Sequence, residues 1–162
     1  MHVERVSELD VAAFLVFRAQ ALAMDAGMFR VSAADDAALG EASWRARLAV
    51  DYVVAAVVDN RWCGIGGLRG CEGSKLQHKG LIWGMYVAPE ARGSGAADAM
   101  LRALMDHARG KFRQLQLTVM ADNARAIAFY ERHGFARYGV EPEAVLRSGV
   151  YADEALMWLR LP

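Results

Sequence analysis

The residues best placed to do chemistry are a short glycine turn, Arg92-Gly93-Ser94-Gly95. It lies between an apolar run, Leu81 to Ala88, closed by Pro89, and a segment in which Ala97, Met100, Leu101, Leu104, Met105 and Ala108 recur at helical spacing. The first turn of a helix holds amide N–H groups without partners, and the helix dipole favours negative charge there. Gly93 and Gly95 have no Cβ to hold an anion away from the backbone. Strand, glycine turn and helix in that order predict a site for a phosphorylated ligand.

The turn is neither of two common nucleotide signatures. No G-x-x-x-x-G-K-[ST] string occurs, and Gly93-Ser94-Gly95 is followed by Ala96, Ala97 and Asp98 rather than by the third glycine of a dinucleotide fingerprint. Gly64-Ile65-Gly66-Gly67 fails the same test at Arg69. Further on, Leu115, Leu117 and Val119 alternate along Gln114–Val119, the pattern of a strand. Asn123-Ala-Arg-Ala-Ile-Ala-Phe-Tyr-Glu-Arg-His-Gly-Phe135 then reads as a short helix stopped by Gly134.

Arg92-x-x-Gly95-x-Ala97 resembles the acyl-CoA pyrophosphate signature [RQ]-x-x-G-x-[GA] of the GNAT superfamily of N-acetyltransferases, and the Asn123–Phe135 string resembles the second half of that family's site. The likeness is specific over residues 81–135 and looser elsewhere. It implies an α/β GNAT fold over residues 1–162 as a single domain. The expected sheet is mixed and mostly antiparallel, with about six to seven strands, about four flanking helices and a splay between the fourth and fifth strands. It also implies acetyl-CoA as cosubstrate and direct transfer of the acetyl group to a primary amine, with no covalent enzyme intermediate. A small-molecule amine is the leading expectation. A protein N-terminus or lysine, and a non-catalytic acyl-CoA-binding module, are the alternatives.

The resemblance assigns roles residue by residue. The amides of Gly93, Ser94, Gly95, Ala96 and Ala97 take the pyrophosphate. Arg92 either adds a charged contact or is a solvated turn residue. The backbone of Met85, Tyr86 and Val87 binds the pantetheine arm as a strand would. An amide there also serves as oxyanion hole, an effect worth ~3–4 kcal/mol per donor. Asn123 is a pantetheine contact, a helix N-cap, or both. Tyr130 is the candidate general acid for the departing thiolate, a role worth ~10²–10⁴-fold, against the alternative of a tyrosine packed on its helix's apolar face.

The general base is missing from its usual place in the family, since no Asp or Glu lies between Gly73 and Ala88. His78, Glu141, Asp153 and Glu154 are stand-ins, as is a chain of waters. Met28, Phe29, Trp44, Trp83 and Tyr151 are candidates to line the acceptor pocket or to form core.

Several elements must position these residues. Asp10 can cap a helix running to about Met24, with Phe14, Phe17 and Ala21 on one face. Met24 to Gly40 reads as a loop before a second helix around Glu41–Leu48. Tyr52–Val58 reads as a β-branched strand, Asp59-Asn60 as a turn, and Trp62–Leu68 as its hairpin partner. A polar loop spans Arg69–Lys79. A strand begins near Phe135, a loop surrounds Glu141-Pro142, and a last strand covers about Ala155–Leu161. Val3–Val6 is a further candidate strand.

Bulk properties set outer limits. The chain has 162 residues, zero formal net charge and 55% hydrophobic residues, which suits a globular protein and gives no global field toward nucleic acid or anionic membrane. No apolar run has the length of a membrane span, and no secretory signal is visible at Met1. Two cysteines, Cys63 and Cys71, indicate neither a disulfide framework nor a zinc site, so the expectation is a reducing cytoplasm and no metal. Dimerisation through the last strands is what the resemblance allows.

Overall fold

Residues Tyr52–Val58 show how the layers arise. Val53 and Ala55 pack into one apolar cluster, Val54 and Ala56 into another, because successive strand side chains point to opposite faces. Both faces are covered, so the strand is apolar throughout rather than alternating with polar residues.

A computed structural model describes residues 1–162. The chain runs β1 (His2–Val6), α1 (Val11–Met24), α2 (Ala33–Ala38), α3 (Gly40–Val50), β2 (Tyr52–Val58), β3 (Arg61–Gly70), β4 (Lys79–Val87), α4 (Ala96–Ala108), β5 (Gln114–Met120), α5 (Ala124–Arg132), β6 (Ala136–Arg147) and β7 (Val150–Arg160). The strands form one seven-stranded sheet in the order β1-β2-β3-β4-β5-β7-β6. Every neighbouring pair is antiparallel except β4 and β5. One face carries α4 and α5 over Leu115, Leu117, Ala155 and Met157; the other carries α1 and α3 over Val6, Val53 and Ile65.

The parallel pair β4–β5 holds for only three rungs, Lys79↔Gln114, Gly80↔Leu115 and Leu81↔Gln116, and then opens. This is the splay expected between the fourth and fifth strands. At its lip β4 carries Gly84 with φ +63° in a β-bulge. Trp83 and Tyr86, three positions apart, consequently face the same apolar cluster, while Met85 and Val87 face the other. The glycines that make β3 irregular have a local cause. A Cβ at Gly66 would collide with Met85 Sδ, and one at Gly67 with the Trp83 ring, so β3 is thinned where the bulge leans on it.

Three expectations need correction. Met24–Gly40 is not all loop: Ser32 Oγ accepts the Asp35 amide at 3.0 Å and starts α2. Glu141-Pro142 is not a break, because β6 runs through it with a bulge where Glu143 takes φ +52°. Asp10 does not cap α1 with its side chain; it accepts from Ser7 N and Oγ, both at 2.8 Å, closing the turn before α1. On α4, Ala96 is fully buried and Ala97 only partly, which sets the inward face one residue earlier than periodicity suggests. No helix is long and apolar enough to cross a membrane.

Candidate active site

The glycine turn opens α4. Gly93 and Gly95 both take positive φ, +82° and +88°, and a Cβ on Gly93 would meet nothing within 4 Å. Gly95 occupies the N-cap position, where a left-handed residue swings the chain into the helix, and of the amides of Ala96 to Asp98 only that of Ala96 has a partner. Asp98 lies in this first turn, where its charge would repel a phosphate. Arg132 of α5 pairs with it at 2.9 and 3.1 Å and holds its carboxyl below the usual carboxylate range.

The turn is one wall of a cleft of about 1000 Å³ that runs into the splay between β4 and β5. The cleft is lined by Met85, Tyr86 and Val87, by Arg92, Gly93 and Gly95 to Ala97, and by Asn123 and Tyr130. Of the expected site residues only Ser94 stands outside this lining; its Oγ accepts the Ala96 amide at 3.4 Å. A molecule with a pyrophosphate and an extended arm fits this arrangement: an anion at the bare N-terminus of α4, the arm along the open edges of the splayed strands.

Two residues behave differently from the simplest expectation. Arg92 is exposed but not free. Its Nε donates to the Val87 carbonyl at 3.1 Å, and its guanidinium pairs with Asp25 at the end of α1. It therefore braces the turn instead of reaching outward. Asn123 is an N-cap, with Oδ1 accepting the Ala126 amide at 3.1 Å, while Nδ2 lies 3.4 Å from Met28 Sδ. Arg125, in the first turn of α5, also lines the cleft and was not singled out from sequence.

Tyr130 is 7% exposed and packs between Phe129 and Phe135, with ring centroids 5.0 and 5.6 Å away. Burial alone pushes its phenol far above the ordinary value, so it stays protonated. Tyr130 packs into the core cluster and also lines the cleft.

Of the stand-ins for a base, Glu154 is the one the fold brings to the cleft. It sits on β7 opposite Met120 of β5 and is 1% exposed. Its β7 neighbour Ala155 packs beneath α4 and α5, so Glu154 points to the face that carries α1 and α3. Thr118 Oγ1 lies 3.5 Å from Oε1, and Arg30 Nε 2.9 Å from Oε2. Burial raises its pKa, and the Arg30 charge only partly offsets this. His78 lies outside the cleft lining, as do Glu141 and Asp153.

On the acceptor side, Met28, Phe29, Trp44 and Trp83 all line the cleft, whereas Tyr151 is exposed on the β6–β7 hairpin and is not part of it. Arg18 of α1 joins this wall. Its Nε and Nη2 donate to the Asp36 carboxylate at 2.7–3.0 Å, and both side chains are buried. No group of His, Cys, Asp and Glu side chains converges as a metal site would require.

Residues 15–135 match the Acetyltransferase (GNAT) family. The chain belongs to that family. Over 77 residues this acetyltransferase is 32% identical to the L-amino acid N-acetyltransferase AaaT of Escherichia coli K12, a stretch covering 46% of this chain and 48% of that one. It thus spans about half the length of the curated relative it matches. Among solved structures, an acetyltransferase of the GNAT family from Streptococcus pneumoniae superposes with a TM-score of 0.87 at 18% identity, over 99% of this chain and 98% of that one. The yncA protein of Salmonella typhimurium, whose structure holds its cofactor acetyl-CoA, superposes at 0.81 and 19% identity, over 100% and 94%. At such identities these structures speak for the fold.

Proposed function

We propose that this acetyltransferase moves the acetyl group of acetyl-CoA directly to the primary amine of a small molecule. The observation that carries the reading is the glycine turn at the N-terminus of α4, opening onto a cleft that continues between splayed strands. Gly93 to Ala97 would take the pyrophosphate on backbone amides, with Arg125 adding charge nearby. Met85, Tyr86 and Val87 would present their open backbone edge to the pantetheine arm. Bound acetyl-CoA supplies the acetyl group as an activated thioester.

The chain's own residues handle the protons. Glu154 accepts one from the incoming ammonium, directly or through one water, and Arg30 must move off its carboxylate as the acceptor enters. Its raised pKa makes it a stronger base than a solvated carboxylate. Tyr130 holds a proton on the far side of the reacting centre. A phenol normally titrates near 10 and a thiol near 8.5, so full transfer to sulfur is uphill; its contribution is a hydrogen bond to the leaving sulfur as charge builds there.

A small acceptor is favoured because the α1–α2 linker closes the pocket: Met28 and Phe29 line it, and Arg30 reaches across to Glu154. The activity that the relative's name assigns to L-amino acids agrees with a small acceptor. A pure binding module has no use for a buried carboxylate and a phenol on opposite sides of the same cleft.

Calorimetric titration with acetyl-CoA, with CoA and ATP as controls, tests the cosubstrate, and thiol release over an amine panel tests transfer. Micromolar acetyl-CoA binding with amine-dependent thiol release is expected. Absence of binding by any CoA species would overturn the reading. Tyr130→Phe should lower kcat about 10²-fold with acetyl-CoA affinity nearly unchanged; an unaltered kcat would remove the phenol from the mechanism.

A further inference from the structure

Four buried side-chain polar atoms lack a hydrogen-bond partner: Arg18 Nη1, Trp44 Nε1, Trp83 Nε1 and Glu154 Oε2. All four belong to residues that line the cleft. Glu154 Oε2 at least has the Arg30 charge beside it. The other three are N–H donors, on side chains that pack against one another. The Arg18 guanidinium stacks 4.6 Å from the Trp44 ring and 5.9 Å from that of Trp83, and the two indoles are 6.0 Å apart. Trp83 Nε1 lies near the Asp51 carboxylate without completing a hydrogen bond to it. Buried donors without acceptors are uncommon and costly, so three together call for an acceptor from outside the chain.

The charge around them favours an anion. Arg18 spends Nε and Nη2 on Asp36, which leaves Nη1 as its free corner. Arg47 stacks over Trp44 at 4.9 Å, and Arg47 and Arg69 both act on the Asp51 carboxylate. Three guanidinium groups thus stand against two carboxylates, and burial drives Asp51 toward its neutral form. An isolated phosphate would suit such charge, but flat indole walls and a single planar guanidinium corner match the size and shape of a carboxylate better.

Position narrows the ligand further. A Cβ on Gly84 would lie 3.4 Å from Arg18 Nη1, so the donor cluster abuts the bulge of β4. Glu154, on β7 opposite Met120 of β5, lines the same cleft from the other side of the splay. We propose that Arg18, Trp44 and Trp83 seat the carboxylate of the acceptor, and that the amine acetylated is the α-amino group of a free amino acid. This rests on the transfer reading above, with the reacting carbonyl taken to sit by the oxyanion amide expected among Met85, Tyr86 and Val87, next to the bulge. With the seat and the bulge side by side, the anionic group and the amine can be separated by little more than one carbon. A peptide N-terminus carries an amide in place of that carboxylate, and a lysine side chain carries its amine far from any carboxylate. Neither satisfies the cluster.

The test compares free amino acids with their α-carboxamides and with the decarboxylated amines, at saturating acetyl-CoA. The acid should exceed its amide in kcat/KM by about 100-fold, since a site built of buried donors rejects a partner that cannot accept from them. Equilibrium binding of acid and amide gives a second readout that does not depend on turnover, and the acid should again bind more tightly. Trp83→Phe keeps a ring but removes one donor, and it should shrink the acid-to-amide ratio while leaving acetyl-CoA affinity in place. Equal use of acid, amide and amine would overturn the seat, as would a peptide N-terminus acetylated as well as the free acid. Tight binding of acids without transfer would uphold the seat and sink the transferase reading. Intact acetyl-CoA binding and amine acetylation with no preference for acids would do the reverse.

Discussion

The two sides of the cleft are built from different materials. The wall from Gly93 to Ala97, with the open edge of β4, presents backbone amides, and its side chains are small or absent. The opposite wall presents side chains, Arg18, Trp44, Trp83 and Glu154, drawn from α1, α3, β4 and β7. Backbone geometry can be specified within a few adjacent residues. A side-chain constellation needs the whole sheet and two helices in register before it exists. The first wall therefore suits a ligand component common to many reactions, and the second is where selectivity between acceptors can be written.

Substitutions can sharpen or break this contrast. The largest effect should come from Glu154→Gln on the side-chain wall, with kcat lower by about 10²–10⁴-fold and acetyl-CoA affinity unchanged. A base works only when deprotonated, so wild-type kcat/KM should rise with pH and level off above the raised pKa of Glu154. The variant should lack that rise. A pH profile identical in both proteins would reassign the base.

Next, Asp36→Ala leaves Arg18 charged, buried and unpaired, and denaturant titration should show a loss of about 3–5 kcal/mol. A loss below about 1 kcal/mol would mean that water already reaches the pair, as at exposed ion pairs. Gly95→Val tests the backbone wall: a β-branched residue at φ +88° is strained, and its side chain stands where the anion would approach. Acetyl-CoA binding by calorimetry should weaken about 100-fold while the fold persists. The smallest effect belongs to Asn123→Ala, which removes one cap from α5 and should cost about 1 kcal/mol of stability. If it instead abolished acetyl-CoA binding, the contact with the pantetheine arm would outweigh the cap.

The same contrast explains what could be read in the sequence. The glycine turn, the two apolar strands beside it and the α5 helix each declare themselves within a dozen residues, through periodicity and φ-permissive glycines. A sheet of about six to seven strands and its splay followed from them and from the resemblance. Helix α2 went unseen because six residues with two adjacent aspartates give no periodicity, and only the Ser32 cap signals it. The run of β6 through Pro142 was hidden because bulged edge strands tolerate proline. Glu154 could be named as one of four stand-ins but not chosen, since its burial depends on packing across β5 and β7. Arg18 gave no signal at all: an arginine on an otherwise apolar helix face looks solvated until Asp36 is folded onto it.

The three-rung seam between β4 and β5 has a consequence for how the protein survives in concentrated solution. Past Leu81 and Gln116, two strands in the middle of a seven-stranded sheet leave hydrogen-bonding groups unpaired, the same feature that makes outer strands recruit foreign chains. Here the vulnerable edges face each other, with α4 and α5 covering one side and α1 and α3 the other. The opening can therefore admit a slender molecule but shields those edges from another protein's strand.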